Sequence, residues 1–268
     1  MKQLLYMSIK AATAAGKEIM SIYNDPNSDF SIETKSDSSP LTIADKRSHE
    51  VIESLLNQTP YPTLSEEGKT IPYDTRKEWG SLWIVDPLDG TKEFIKRNGE
   101  FTVNIALVRN GSPILGVIYV PVTNMLYFGA QGAGAFRINL ANVNLVESWE
   151  SILIRAEKLP LTSDTEERPF KVVASRSHMS TETQEYIAAL EKEHGNVELV
   201  ASGSSLKICL VAEGSADTYP RFAPTMEWDT AAGHAIAIAA GRNVYNTQTG
   251  EPLAYNKEDL VNPWFIVR

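Results

Sequence analysis

The sequence predicts an α/β protein with an α+β N-terminal part and an α/β C-terminal part. The alanine-rich run from Lys2 to Tyr23 has the amphipathic pattern of a long helix. Phe101 to Val108 and Ile114 to Val120 alternate in polarity on either side of Asn110-Gly111, the preferred pair for a tight hairpin turn. Beyond the polar segment from Leu159 to Arg168, strand and helix patterns follow one another. Together these patterns indicate helices layered on sheets.

The remaining elements of the first part can be placed in chain order. An extended segment is expected near Phe30 to Lys35, before a polar loop. A second helix is expected from Thr42 to about Leu56, because Thr42-Ile43-Ala44-Asp45 has the form of a capping box. Strands are expected near residues 62–64, 82–85 and 125–129. The glycine-rich run 131–136 has no lysine of the phosphate-loop type, so we interpret it as a turn.

The second part begins after the polar, proline-containing segment from Leu159 to Arg168, which resembles a linker. This change in composition predicts two domains, residues 1–158 and 159–268, with a cleft between them. Strands are expected near residues 171–174, 197–201 and 217–219, and helices near residues 182–192, 205–212 and 230–240.

Composition limits the class of protein. A chain of 268 residues can bury a large core, and its net charge of -9 argues against general nucleic-acid binding, which requires a basic surface. No segment reaches the roughly 18 to 20 apolar residues of a transmembrane helix. The single cysteine, Cys209, excludes an intramolecular disulfide and lies in an apolar run, as a buried thiol would. We therefore expect a cytoplasmic protein, either a monomer or a homodimer.

The most informative segment runs from Trp83 to Phe94. Its apolar strand pattern ends in Asp86 and Asp89, separated by Pro-Leu and followed by Gly90-Thr91. Two carboxylates three residues apart on a tight turn can converge on a hard cation, and the Gly-Thr amides and hydroxyl can face a phosphate. The alternative is an ordinary Asp-Pro turn after a strand.

Two distant acidic segments support the first interpretation. Glu66-Glu67 precedes Gly68, where a solvated turn is the simpler explanation. Asp229, in Glu227-Trp228-Asp229, stands just before a helix of small residues, where it would serve as the N-cap. Capping and metal ligation are compatible, because a carboxylate has two oxygens.

The three segments together resemble the metal signature of the inositol monophosphatase-like phosphatases. That signature is a glutamate pair, then Asp-Pro-(Ile/Leu)-Asp-Gly-Thr, then Trp-Asp-x-x-Ala-Gly, in this order. Within that superfamily, Lys92 to Asn104, Ser204 to Lys207 and Tyr219 to Phe222 are similar to the bacterial 3′(2′),5′-bisphosphate nucleotidases. Gly241-Arg242 departs from the Gly-Gly pair of some lithium-sensitive members, which weakens the expectation of strong lithium inhibition. The resemblance implies a layered αβαβα sandwich.

The resemblance also implies a set of site residues. The ligands of two or three Mg²⁺ ions would be Glu66, Asp86, Leu88 through its carbonyl, Asp89 and Asp229. Glu67 would not bind the ions directly but would help to position the residues that do. Asp45 and Thr91 would orient the attacking water. The substrate contacts would be Glu66, Leu88, Asp89, Gly90, Thr91, Ser175, His178, Gly203, Lys207 and Asp229. The N-terminal domain would carry most metal ligands, and the C-terminal domain would contribute Asp229 and nucleotide contacts.

Simpler explanations remain for several of these residues. Asp45 is also the acidic member of a capping box. Lys207 in an apolar helix can extend its ammonium to solvent, and His178 lies in a polar loop of the kind that is usually at the surface.

The activity implied by the resemblance is removal of the 3′-phosphate from adenosine 3′,5′-bisphosphate, giving AMP and phosphate. 3′-Phosphoadenylyl sulfate is a further expected substrate, which would place the protein in sulfur assimilation and nucleotide salvage. Two alternatives stay open: an inositol or fructose phosphatase on the same scaffold, and a non-catalytic regulator that binds metal or nucleotide. The resemblance also implies that the protein could associate peripherally with the inner membrane, but the sequence carries no signal for this.

Overall fold

A computed structural model describes residues 1–35, 39–141, 143, 149–161, 168–174 and 179–268. Its helices are α1 (Lys2–Tyr23), α2 (Ile43–Leu56), α3 (Tyr73–Arg76), α4 (Thr91–Ile95), α5 (Trp149–Arg155), α6 (Thr181–His194), α7 (Leu206–Ala212) and α8 (Glu227–Ala239). Its strands are β1 (Glu33–Thr34), β2 (Pro40–Leu41), β3 (Thr63–Ser65), β4 (Ser81–Asp89), β5 (Thr102–Arg109), β6 (Ser112–Val120), β7 (Met125–Ala130), β8 (Gly134–Asn139), β9 (Glu157–Lys158), β10 (Phe170–Val173), β11 (Val197–Val200), β12 (Tyr219–Arg221), β13 (Val244–Asn246) and β14 (Phe265–Val267). Across the described residues, none of the helices has the length and apolar character needed to cross a membrane.

The central element is a seven-stranded mixed sheet with the order β3-β4-β5-β6-β7-β8-β9. β3 and β4 are parallel, and each later neighbour is antiparallel to the one before it. Asn110 and Gly111 join β5 to β6 with φ angles of 49° and 77°. Positive φ at both positions is the requirement of a two-residue hairpin turn, so the predicted hairpin is confirmed.

Helices cover both faces of this sheet. α1 and α2 pack on one face, where Leu5 and Ile9 join a buried cluster with Trp83. α7 and α8 pack on the other face. There a Cβ added to Gly116 of β6 would lie 2.1 Å from the Ala232 carbonyl oxygen of α8. Only glycine permits this approach, so α8 lies directly on the sheet and its first turn is held in a fixed place.

Three smaller sheets complete the described part of the chain. β1 and β2 form an antiparallel pair, β10 and β11 form a parallel pair, and β12, β14 and β13 form an antiparallel sheet in that order. A second hydrophobic cluster joins Ile84 of β4 to Val211 of α7 and Ile236 of α8. The division into residues 1–158 and 159–268 stays a prediction.

Several predicted boundaries were wrong. The run 131–136, interpreted as a turn, includes the first residues of β8, and the strand expected near residues 217–219 is β12, which begins only at Tyr219. β4 does not end before Asp86 in a tight turn but continues to Asp89, and the extra residue is absorbed by a register shift against β5 between Asp86 and Asp89. A bulge at this point also accommodates Pro87, which has no N–H for the ladder. α8 begins at Glu227, so Asp229 lies in its first turn rather than before it. The extended segment near residues 30–35 contains only the two residues of β1.

Candidate active site

The predicted metal-ligand carboxylates converge from three elements. Glu66 follows β3, and its N–H donates to the Val85 carbonyl at 3.1 Å, which places it beside the end of the parallel strand β4. Asp86 and Asp89 occupy the bulge of β4, whose Pro87 carbonyl accepts a 2.6 Å hydrogen bond from Ser48 of α2. The first turn of α8 brings Asp229 to the same group, close enough for its charge to act on Asp86.

Burial and mutual repulsion shift the pKa values of these carboxyl groups. Asp86 is 1% exposed, and burial together with the charges of Glu66 and Asp89 raises its pKa well above the usual range. Burial and the charge of Asp89 raise the pKa of Asp229 to about 8. Burial also raises the pKa of Glu66, although the Lys35 ammonium opposes this. The cluster therefore concentrates negative charge that a cation would stabilise.

Each carboxylate is partly engaged by the protein. Lys35 donates to Glu66 at 2.7 Å and also to Glu67, so it supplies the nearest positive charge to this pair. One oxygen of Asp89 accepts hydrogen bonds at 2.6 Å from the Ser204 hydroxyl and from the Ser205 N–H. One oxygen of Asp229 accepts from the Met226 N–H at 2.8 Å. These bonds hold the side chains in place while leaving the second oxygen of Asp89 and of Asp229 outside them.

The donor chemistry of this cluster fits a hard divalent cation. As the side chains stand in the described part of the chain, no three acidic, histidine or cysteine residues are grouped closely enough to hold an ion. Glu66 is hydrogen-bonded to Lys35 and Asp89 to Ser204 in this arrangement. The available donors are nevertheless all oxygens, four carboxylates and the Leu88 carbonyl, which is the set that Mg²⁺ prefers.

Asp45 serves two functions with its two oxygens. One oxygen accepts from the Thr42 N–H at 2.8 Å and from the Thr42 hydroxyl at 2.5 Å, which completes the predicted capping box of α2. The other oxygen accepts from the Thr91 hydroxyl at 3.1 Å. Burial raises the pKa of Asp45, against the opposing effect of its Thr42 hydrogen bonds. The cap and the contact with Thr91 therefore coexist.

A cavity of about 520 Å³ opens beside the carboxylate cluster. Asp89 and Asp229 line it together with Lys207 and Arg221, and Glu93 and Glu100 are also part of its lining. The Lys207 ammonium donates to the Ser204 carbonyl at 3.1 Å, and burial lowers its pKa although Asp89 opposes this. The cavity thus brings two carboxylates and two cationic side chains together, and we call Lys207 and Arg221 its cationic wall.

The other predicted substrate residues have different placements. Gly90 and Gly203 line the same cavity. A Cβ at Gly203 would lie 2.7 Å from a carboxylate oxygen of Glu100, so the absence of a side chain there allows the chain to pass Glu100 closely. Ser175 and His178 lie outside the described residues, so their roles stay predictions.

The sequence reasoning missed two cationic residues of the site. Arg221 lines the cavity, and its buried Nε has no hydrogen-bond partner among the described residues. The segment Tyr219 to Phe222 already indicated the nucleotidase resemblance, and its only charged residue could have been taken as a ligand contact. Lys35 had no such signal, because its partner Glu66 is 31 residues away along the chain.

Known proteins resemble this chain over almost its full length. The inositol monophosphatase family matches residues 1–264. The 3′(2′),5′-bisphosphate nucleotidase CysQ of Escherichia coli K12 is 46% identical over 259 residues, covering 96% of both chains. The protein of the same name from Salmonella typhimurium is 45% identical over 267 residues, covering 98% of this chain and 99% of that one. The crystal structure of CysQ from Bacteroides thetaiotaomicron superposes with a TM-score of 0.90 at 58% identity, covering 100% of this chain and 97% of that chain, which confirms the predicted fold class.

Proposed function

Because the chain belongs to the inositol monophosphatase family, we propose that it is a phosphomonoesterase that removes the 3′-phosphate of adenosine 3′,5′-bisphosphate to give AMP. One observation carries this proposal: Asp89 and Asp229 share a cavity with Lys207 and Arg221. The 3′(2′),5′-bisphosphate nucleotidases cited above support it by their identity and coverage. We extend the proposal to 3′-phosphoadenylyl sulfate, and hence to sulfur assimilation and nucleotide salvage in the cytoplasm.

Mg²⁺ is the proposed cofactor, as it generally is in this family. Glu66, Asp86, Asp89 and Asp229, with the Leu88 carbonyl, would hold two or three ions. When bound, Mg²⁺ supplies water activation and stabilisation of charge on the phosphoryl and leaving oxygens. Glu67, which shares Lys35 with Glu66, would keep the glutamate pair in position.

The residues of the chain supply the proton path. The Thr91 hydroxyl donates a hydrogen bond to Asp45, which leaves the lone pairs of the Thr91 oxygen able to accept a proton from the attacking water. As that proton arrives, the Thr91 proton passes to Asp45, and Thr91 remains neutral. The raised pKa of Asp45 makes it a better proton acceptor than an exposed aspartate.

The cationic wall supplies the preference for a second phosphate. Lys207 presents a compact ammonium and Arg221 a planar guanidinium, and both face the cavity that Asp89 also lines. The second phosphate of a nucleoside bisphosphate would add a charge-assisted contact to these cations that a monophosphate held at the carboxylate cluster lacks. We propose Ser175 and His178 as further nucleotide contacts, by resemblance alone.

A substrate panel tests the proposal. The full chain would be assayed for phosphate release from adenosine 3′,5′-bisphosphate, 3′-phosphoadenylyl sulfate, inositol 1-phosphate and fructose 1,6-bisphosphate, each with Mg²⁺ and with a chelator. We expect the highest kcat/KM for the two nucleotides, loss of activity with chelator, and AMP as the chromatographic product of the first. A higher kcat/KM for inositol 1-phosphate would overturn the nucleotide assignment, and Mg²⁺-independent release would overturn the mechanism.

A further inference from the structure

A segment near the C-terminus is hydrogen-bonded to the start of α8, the helix that carries Asp229. We call residues 254–262 the strap. The Glu227 N–H donates to the Leu260 carbonyl of the strap at 3.0 Å, and the Asn262 N–H donates to the Thr225 carbonyl at 2.8 Å. These bonds fix the first turn of α8 against the strap over several residues.

Glu227 adds a buried charge to this contact. Its side chain is fully buried, and its carboxylate accepts hydrogen bonds from the Asn256 N–H at 2.6 Å, the Lys257 N–H at 3.0 Å and the Lys257 ammonium at 2.5 Å. A buried carboxylate is tolerated only when it is paired and hydrogen-bonded in this way. Because positions two apart on an α-helix differ by about 200°, Glu227 can hold the strap while Asp229 faces elsewhere.

Arg76 also forms hydrogen bonds with the strap. It is 3% exposed and lies in α3, ten residues after Glu66. Its guanidinium donates to the Asn256 side-chain oxygen at 3.1 Å, to the Lys257 carbonyl and to the Glu258 carbonyl at 2.8 Å. The Asn256 amide donates back to the Arg76 carbonyl at 2.7 Å. The planar fork of an arginine can reach these acceptors together, and a lysine ammonium cannot reproduce the arrangement.

The strap therefore connects two segments that carry proposed metal ligands. α3 begins at Tyr73, seven residues after Glu66, and α8 contains Asp229. Glu66 and Trp228 line a cavity of about 670 Å³ whose wall also includes Arg76 and Glu258, so the strap spans the space between the two segments. Cation binding requires Glu66 and Asp229 in their charged forms, which repel each other, and the strap would oppose the separation that this repulsion favours.

We propose that Arg76 and Glu227 are positioning residues that fix the separation of Glu66 and Asp229 through the strap and so set the affinity for Mg²⁺. The inference rests on the proposed function, since it takes these two carboxylates as ligands. Neither Arg76 nor Glu227 is among the proposed ligands of the ion or the proposed contacts of the nucleotide. Their effect should therefore appear in Mg²⁺ binding, and in nucleotide binding only where Mg²⁺ is below saturation.

Isothermal titration calorimetry with Mg²⁺ alone is the direct test. We expect Arg76→Lys and Glu227→Gln to raise the Kd for Mg²⁺ by about tenfold, the size of loss that one charge-assisted hydrogen bond represents. At saturating Mg²⁺, kcat and the KM for adenosine 3′,5′-bisphosphate should return to within about twofold of wild type. Lys257→Met should act in the same direction but less strongly, because it leaves both main-chain bonds to Glu227 in place. That variant keeps the test decisive if Glu227→Gln does not fold.

Asp217→Asn is the matched control. It weakens another partly buried ion pair, in which both oxygens of Asp217 accept from Arg168 at 2.7 and 2.8 Å, and neither residue contacts a segment with a proposed metal ligand in these bonds. We expect this variant to lower Tm without changing the Kd for Mg²⁺. Wild-type Kd values in the strap variants, or an equal shift in Asp217→Asn, would overturn the inference. A wild-type protein that binds Mg²⁺ but releases no phosphate would overturn the proposed function instead.

Discussion

Replacing Lys207 by methionine should selectively weaken binding of a bisphosphate. Among the described residues, the Lys207 ammonium makes one hydrogen bond, to the Ser204 carbonyl at 3.1 Å, and an ammonium has three donors. Two donors are thus available to a phosphate in the cavity. A charge-assisted hydrogen bond of this kind contributes about 1.5–3 kcal/mol, which corresponds to roughly ten- to a hundredfold in affinity. Methionine retains the straight, partly buried stem, so the fold should be kept.

Steady-state kinetics on two substrates measures this effect. For Lys207→Met, the KM for adenosine 3′,5′-bisphosphate should rise by roughly ten- to a hundredfold with little change in kcat, because the contact is made equally in the ground and transition states. Inositol 1-phosphate, which has a single phosphate, should show kinetics within about twofold of wild type. Equal losses on both substrates would refute the reasoning and assign Lys207 to support of the fold or of the carboxylate cluster.

Arg221→Met provides the matched comparison on the same wall of the cavity. If Lys207 and Arg221 contact the same phosphate, the double variant should lose less than the product of the two single losses. Independent, multiplicative losses would place the two side chains on different parts of the substrate. The Tm of each variant, measured alongside, separates a loss of binding from a loss of folded protein.

Three further predictions concern the carboxylates. Asp89→Asn removes one charge of the cation site at nearly constant volume, so kcat should fall on the order of a thousandfold while Tm is kept, and near-normal turnover in saturating Mg²⁺ would contradict its role as a ligand. Asp45→Asn removes the proton acceptor of Thr91, so kcat should fall by about a hundred- to ten-thousandfold. The Kd for Mg²⁺ should not change. If Tm falls and kcat does not, Asp45 serves only as a helix cap. The pKa of Asp229 is about 8 in the folded protein, above its ordinary value of 3.8, so its contribution to stability is complete below about pH 4 and is lost as the pH rises through 8. Without Mg²⁺, Tm should therefore fall between pH 4 and pH 8, less steeply in Asp229→Asn, and a rising Tm in calorimetry would exclude this effect.

The parts of the fold that the sequence predicted well are those with local causes. α1 was predicted from its periodicity and has the predicted bounds. The cap of α2 depends on Thr42 and Asp45, three residues apart, and both of its hydrogen bonds are present. The turn between β5 and β6 depends on Asn110-Gly111 alone. In each case the residues that determine the conformation are neighbours in the chain.

The features that were missed depend on partners far away in the chain. The strand was expected near residues 82–85, but pairing with β5 carries β4 past Pro87 to Asp89. Lys35 is paired with Glu66, and Arg76 holds Lys257 and Glu258, which are 181 and 182 residues later. No periodicity or spacing rule connects such residues. The site residues proposed from resemblance could be named in advance, whereas the contacts that hold them in place required the fold.

The distribution of charge explains why an acidic protein can bind an anionic nucleotide. Lys35 contacts the glutamate pair, and Lys207 and Arg221 line the same cavity as Asp89 and Asp229. These cations do not remove the mutual repulsion of the carboxylates, because burial and the charges of Glu66 and Asp89 still raise the pKa of Asp86. Bound Mg²⁺ would reverse the local charge and convert a repulsive site into an attractive one. Linkage then requires that the nucleotide tighten Mg²⁺ binding by the same factor by which Mg²⁺ tightens nucleotide binding. The carboxylates that repel the substrate of the metal-free protein are therefore the same groups that make its binding depend on the metal.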